Sequence, residues 1–345
     1  MKCGKTLFFT IVSLLAFTLM LAGCGGPSAA NGSSKESGYP KMEIKLSHVA
    51  AENTPKGQAA LAFKKIVESK SDGKIKVKVY PNGQLYGDED EIEALQANNV
   101  QIIVPSSSKL AGFDPTFQLF DLPFLFKNDD ELYRFEDGTA GKELLSKLES
   151  SGMKGLGYWP NGFTHITNNE RPIKKPEDLK GLKIRTHGGG LLNDVFSKLG
   201  ASSTKLAFND VYQGLQLGTV DGQENSLVNI ETQKYEEVQK YLTLMNMTRS
   251  EYVVATNKKW WDGLNNDTQA LLAKAMKKAT EKGREVEKSD ERKALEKIKS
   301  DGKMEIFKLT DAERQAFIDA EKPVMDKWKK KLDEDIIDSI LNQRK

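Results

Sequence analysis

Between Lys41 and Val104 the hydrophobic period switches from two to that of a helix and back, twice, and this alternation constrains the fold more than any other feature. Met42, Ile44 and Leu46 alternate with Glu43, Lys45 and Ser47, the pattern of a half-buried strand. Thr54 as cap and Pro55 at the first helical position then open a helix with Leu61, Phe63, Ile66 and Val67 on its apolar side, and Asp72-Gly73 ends it. A second strand, Lys74 to Tyr80, a turn at Pro81-Asn82-Gly83, an acidic helix start from Asp88 to Glu91 and a strand from Val100 to Val104 follow. Strand, helix, strand, helix, strand predicts a mainly parallel sheet covered by helices on both faces, an α/β fold. The alternation recurs at Gly155 to Trp159, Leu182 to Arg185, a helix Asn193 to Leu199, a strand Ser203 to Leu206 and a helix Asn209 to Gly218, which predicts a second sheet. From Asn265 the chain is rich in Lys, Glu and Ala at helical spacing, and Thr310 to Glu313 has the form of a capping box.

The N-terminus carries a different signal. Lys2 and Lys5 precede an uncharged apolar run from Thr6 to Met20, about 15 residues, shorter than the roughly 20 a spanning helix needs. Residues 1–23 therefore read as a lipoprotein signal peptide, because Leu21-Ala22-Gly23-Cys24 is similar to a bacterial lipobox. That resemblance implies cleavage before Cys24, diacylglycerol on its thiol and an acyl chain such as palmitate on its new amino group. Residues 24–40, rich in Gly, Ser, Pro and Asn, read as a flexible tether. Cys3 leaves with the signal, so Cys24 stands alone and the mature chain forms no internal disulfide. The formal charge of +2 falls to zero without Lys2 and Lys5, which disfavours a nucleic-acid partner.

No HExxH, CxxC pair, P-loop, GxGxxG or GxSxG occurs, and His48, His165 and His187 are far apart in sequence, so neither a metal site nor a catalytic motif is apparent. Gly188-Gly189-Gly190, between a strand and a helix, fits a tight turn better than an anion cradle. The acids from Asp88 to Glu91 lack calcium-loop spacing and fit a helix start. A secreted hydrolase using the Ser106 region would need a base that the sequence does not supply nearby.

Five segments, YPNGQLYGDEDEIEALQ (80–96), FDLPFLF (120–126), RPIKKPEDLKGLKIR (171–185), FNDVYQGLQLGTVDGQEN (208–225) and KYEEVQKYL (234–242), stand in order across nearly all the mature chain. Together they resemble the DctP-type solute-binding proteins of TRAP (tripartite ATP-independent periplasmic) transporters. The resemblance implies a two-domain periplasmic-binding-protein-like fold with a hinge, crossing strands and a long helix. Residues 41–161 with about 251–290 would form one domain, and 162–250 with about 291–345 the other. It implies an extracytoplasmic, lipid-anchored, monomeric protein that is not an enzyme and uses no cofactor. Such a protein captures a small carboxylate and delivers it to membrane permease subunits; a protein feeding a membrane sensor kinase is the alternative.

The resemblance also assigns residues. Arg185 ends the KIR segment and would grip a carboxylate through paired donors. Asn225 would hydrogen-bond the ligand, and Phe208 would pack against its body or serve the core. Glu224 would orient one of them. Thr164 stands in Gly162-Phe163-Thr164-His165 where the family often has a second arginine, so either the ligand is a monocarboxylate or hydroxy/keto acid with an apolar or neutral body, or Arg249 or His165 is the compensating cation, a surface or core-edge role being the other reading of both. His48 and Ser106 follow strands, where ligands of open α/β sheets bind, although a structural role for His48 is as good a reading. Asp88 and Glu89 would reach polar ligand groups or serve the helix start.

Overall fold

A computed structural model describes residues 38–342. The signal segment, Cys24 and the tether up to residue 37 lie outside the described residues. The strands are β1 Met42–Ser47, β2 Ile75–Tyr80, β3 Ile102–Ile103, β4 Met153–Phe163, β5 His165–Asn168, β6 Lys183–Thr186, β7 Ser202–Lys205, β8 Gly222–Asn225, β9 Tyr241–Leu244, β10 Arg249–Asn257 and β11 Glu305–Lys308. They form two sheets, ordered β2-β1-β3-β10-β4 and β11-β9-β5-β8-β6-β7.

The alternating pattern of β1 buries Ile44 and Leu46 against the helix Pro55–Lys70. That helix starts where expected, with Thr54 Oγ1 accepting from the Gly57 amide at 3.2 Å and Pro55 at the first position, where its missing N–H is not needed. It ends before Asp72 and Gly73, both at positive φ, 49° and 72°. The first sheet is parallel only across β2, β1 and β3. Strands β10 and β4 are antiparallel, because the chain leaves this sheet along β4, builds the second sheet, and returns along β10. The apolar run from Val100 to Val104 yields only a two-residue strand, and the acidic start at Asp88 gives a short helix, Glu91–Gln96.

Four connections join the two lobes built on these sheets, the last being the passage into the final helix. Strand β4 runs into β5 with only Thr164 between them, and β9 leads through residues 245–248 into β10. The Thr164 amide donates to the Thr248 carbonyl at 3.0 Å, the Thr248 amide donates back to Thr164 Oγ1 at 3.2 Å, and the two hydroxyls lie 2.7 Å apart. The third connection is a 36-residue helix, Asn266–Asp301, capped by Asn265. It packs on the helix Pro55–Lys70 and β4 in the first lobe and on the helix Leu227–Thr232 in the second. Gly283 permits the closest part of this packing, since a Cβ there would stand 3.3 Å from both Ala59 Cβ and Pro160 Cδ. The capping box at Thr310 and Glu313 opens the helix Asp311–Lys329. The last helix, Glu334–Asn342, packs against the helices Asp129–Asp137 and Thr139–Ser146 of the first lobe. Among the described residues no helix is long and apolar enough to cross a membrane.

Candidate functional site

The carboxyl ends of β1, β3, β6 and β8 point toward one cavity, with about 350 Å³ of empty space. Val49, Asp88, Ser106 and Lys109 line it from the first lobe, and Arg185, His187, Phe208 and Asn225 from the second. Asn161, Ser250 and Tyr252 from the crossing strands and Asn229 from the helix Leu227–Thr232 complete the wall. This is where the strand-end rule for open α/β sheets places ligands.

Arg185 closes β6 and is only 1 % exposed. Its Nε and Nη2 donate to the Leu206 carbonyl at 3.1 and 2.8 Å, which fixes one edge of the guanidinium. Among the described residues Nη1 donates to no protein group and no carboxylate lies within ion-pair distance. A buried guanidinium is costly without an anion, so this edge is suited to receive one. Asn225 Oδ1 accepts from the Ser226 amide at 3.1 Å and from Asn229 Nδ2 at 2.8 Å, leaving the Asn225 Nδ2 donor for the cavity. Asn161 Oδ1 accepts from Ser226 Oγ and Asn229 Nδ2, both at 2.9 Å, and so stiffens that wall.

On the opposite wall Lys109 Nζ lies 3.6 Å from Asp88 and 3.7 Å from Glu89, and its side chain is 6 % exposed. Asp88 Oδ2 accepts from the Phe208 amide at 2.7 Å, while Glu89 pairs with Lys205 at 3.0 Å, so both acids reach from the first lobe to the second. The Asn209 side chain donates to the Asn82 carbonyl across the same gap, at 3.1 Å.

His187 is held at both ring nitrogens: Nδ1 lies 2.8 Å from Glu224 Oε1, and Nε2 lies 3.3 Å from Asp121 Oδ1, within ion-pair range but not aligned for a hydrogen bond. Burial disfavours its charge, yet Asp121 and Glu224 outweigh burial and raise its pKa from 6.5 to about 10. The ring is therefore an imidazolium at neutral pH. In that state it offers no lone pair to activate Ser106. The glycines after it, Gly188 and Gly189, take φ of 137° and 87°, and the Leu191 amide at the start of the following helix is occupied by Gln118 Oε1 at 3.0 Å. The triple glycine is thus a turn that receives a first-lobe side chain.

Arg185, Asn225, Phe208 and Ser106 come together at the cavity, whereas Thr164, Arg249, His48, Glu224 and His165 do not line it. Thr164 is wholly buried at the joint of the crossing strands. Arg249 is consumed by Glu251 at 2.7 Å and by Glu287 and Asp129, each at 3.0 Å. Glu224 holds His187 instead of Arg185 or Asn225. His48 and His165 are driven to about 3, mainly by burial, and are neutral; His165 Nδ1 accepts from the Met245 amide at 3.1 Å. The residues that sequence reasoning passed over are His187, Lys109, Asn161 and Asn229. A signal existed for His187: positions i and i+2 of a strand share a face, so a residue two beyond Arg185 points where Arg185 points. For Asn161 and Lys109 none existed, because their place depends on how distant segments pack.

The model of the bacterial extracellular solute-binding proteins, family 7 (DctP), matches residues 46–331. The chain is 42 % identical over 301 residues to a C4-dicarboxylate-binding periplasmic protein, DctP, of Rhodobacter capsulatus, covering 86 % of this chain and 89 % of the relative. It is 39 % identical over 305 residues to the C4-dicarboxylate-binding protein DctB of Bacillus subtilis (strain 168), covering 88 % and 87 %. A TRAP periplasmic solute-binding protein from Shewanella oneidensis, solved with bound succinate, superposes with a TM-score of 0.86 at 38 % identity, covering 89 % of this chain and 100 % of that one. With the two-lobed fold, the anion-receiving cavity and these matches together, the chain belongs to the DctP family, the extracellular solute-binding proteins of TRAP transporters.

Proposed function

We propose that the chain captures a small dicarboxylate of the C4 class in this cavity, closes its lobes around it, and presents the closed form to the membrane subunits of a TRAP permease. The observation that carries the reading is Arg185, buried with one guanidinium edge fixed and the other without an acidic partner. One carboxylate takes that edge as a charge-assisted pair, with Asn225 Nδ2 as a further donor. Lys109 on the facing wall, held at 3.6 and 3.7 Å by Asp88 and Glu89, is the cation nearest to hand for a second carboxylate, which would have to compete with those two acids. The relatives named for C4-dicarboxylates and the succinate complex support the same ligand class.

Closure moves residues 41–161 with about 251–290 against 162–250 with about 291–345, except that the last helix, Glu334–Asn342, packs on the first lobe and moves with it, and the ligand supplies the difference in affinity that favours the closed state. No observation favours a sensor kinase as recipient over a permease. In a thermal-shift panel, succinate, fumarate and malate at 100 times their Kd are expected to stabilise the mature protein by about 2.7 kcal/mol, several degrees in Tm. Acetate and propionate at the same concentration are expected to do little. Equal shifts from mono- and dicarboxylates would remove Lys109 from the site.

The lipobox supports an extracytoplasmic location with the protein anchored through lipid on Cys24. Metabolic labelling with radioactive palmitate is expected to mark the wild-type protein and not Cys24→Ala, read by fluorography of the immunoprecipitated chain. A wild-type protein that takes up no label would refute the anchor.

A further inference from the structure

His187 is a charged group that binding a dicarboxylate does not by itself require. It sits beside the anion receptor, two residues beyond Arg185, and adds a cation to the cavity wall. Its two partners come from different lobes. Glu224, at 2.8 Å, is on β8 beside the β6 strand that His187 follows. Asp121, at 3.3 Å, ends the turn Pro115–Asp121 of the first lobe, in the stretch between β3 and β4. Asp121 is itself 1 % exposed and is fixed from behind by the Ser108 hydroxyl, which donates to its Oδ2. Gln118 of the same turn reaches the Leu191 amide, so this turn docks on the second lobe beside the His187 loop. The charged groups that face the ring are Asp121 and Glu224, with Arg185 on its own strand.

We propose that His187 is a closure clasp: shutting the lobes around a dicarboxylate inserts its imidazole between Asp121 and Glu224 and takes up one proton from solvent. This rests on the reading that the lobes close around a dicarboxylate. In the open form Asp121 departs with its lobe, and the ring keeps Glu224 and gains water. Its pKa then falls below the closed-form value of about 10, because one of the two carboxylates that raise it is gone. The linkage has a definite sign. Protonation is favoured by the closed state, so the contribution to affinity is fully present below the open-form pKa and is lost as pH rises through about 10. Between those limits the affinity falls by up to roughly tenfold per pH unit. The permease therefore receives a ligand whose release on opening also frees a proton.

The test is calorimetric titration of the mature protein with succinate at pH 8.5, in buffers of different ionisation enthalpy, for the wild type, His187→Gln and Asp121→Asn. The wild type is expected to take up between half a proton and one proton more per succinate than His187→Gln. The comparison cancels any contribution from Lys56 and Glu91, which both titrate at about 8 in the first lobe. Asp121→Asn keeps the ring and loses the first-lobe charge, so its uptake is expected to fall with the folded core retained; it decides the question if His187→Gln does not bind. From pH 6.5 to 9 the wild-type Kd is expected to rise several-fold, and that of His187→Gln to change less. Succinate binding by the wild type with no more uptake than the variants overturns the clasp while leaving the ligand reading intact. Absence of binding of succinate, fumarate and malate by the wild type overturns both.

Discussion

Arg185→Ala is expected to weaken succinate binding by roughly 30-fold or more, because truncating one member of a buried charge pair costs about 2–5 kcal/mol and each 1.4 kcal/mol is tenfold in Kd. Arg185 is 1 % exposed, one edge of its guanidinium is anchored on the Leu206 carbonyl, and among the described residues no carboxylate neutralises it. The ligand is therefore its counter-ion, and the loss falls on the liganded state. In the ligand-free protein the substitution removes a buried unpaired charge, so Tm without ligand is expected to change by only a few degrees while the succinate-induced shift disappears. Arg185→Lys retains charge but not the fork, and is expected to recover only part of the affinity. Calorimetry and thermal shift read both quantities. A variant that binds succinate as tightly as the wild type would mean that the carboxylate sits elsewhere in the cavity.

Arg249→Ala has the opposite profile, a large loss of stability with binding by the folded fraction retained. Arg249 joins Glu251 on β10, Glu287 on the long helix and Asp129 at the start of the helix Asp129–Asp137, at 2.7, 3.0 and 3.0 Å. The Glu251 and Glu287 side chains are 0 % and 3 % exposed, so removing the cation strands carboxylates in a low-dielectric site. Breaking a buried ion pair in this way costs about 3–5 kcal/mol, which for a chain of this size lowers Tm on the order of 10 °C. Denaturant midpoints and the succinate Kd, measured on the same preparation, separate the two profiles. Wild-type stability with lost binding would return Arg249 to the ligand.

These two arginines mark the limit of what pattern reading resolves. Both close or open a strand in the sequence and both were candidates for the same carboxylate. One faces a cavity with an unused edge; the other is surrounded by acids from three elements, two of them more than 35 residues away in the chain. Thr164 was read as the site of a missing arginine, yet it fastens the crossing strands, and the additional cations near the ligand site are Lys109 and His187. The length of β3, the antiparallel return of β10 and the place of Lys109 likewise follow from pairing and packing between distant segments.

The sequence by itself determined the parts that depend on near neighbours. Periods of two and 3.6 residues and the Thr54-Pro55 start are local and placed the strand–helix alternation with which the chain opens, as the Thr310–Glu313 box placed the start of a late helix. They also placed Arg185 at a strand end, where ligands of such sheets bind, whereas Asn225 was picked out by the family resemblance. Only the tertiary structure decided which charges are neutralised internally and which are left for a ligand. Burial and counter-ions set the state of an ionisable group, and both are supplied by segments remote in sequence. Arg249 was thereby neutralised within the fold, His187 was charged between two lobes, and Arg185 kept an edge without an acidic partner among the described residues.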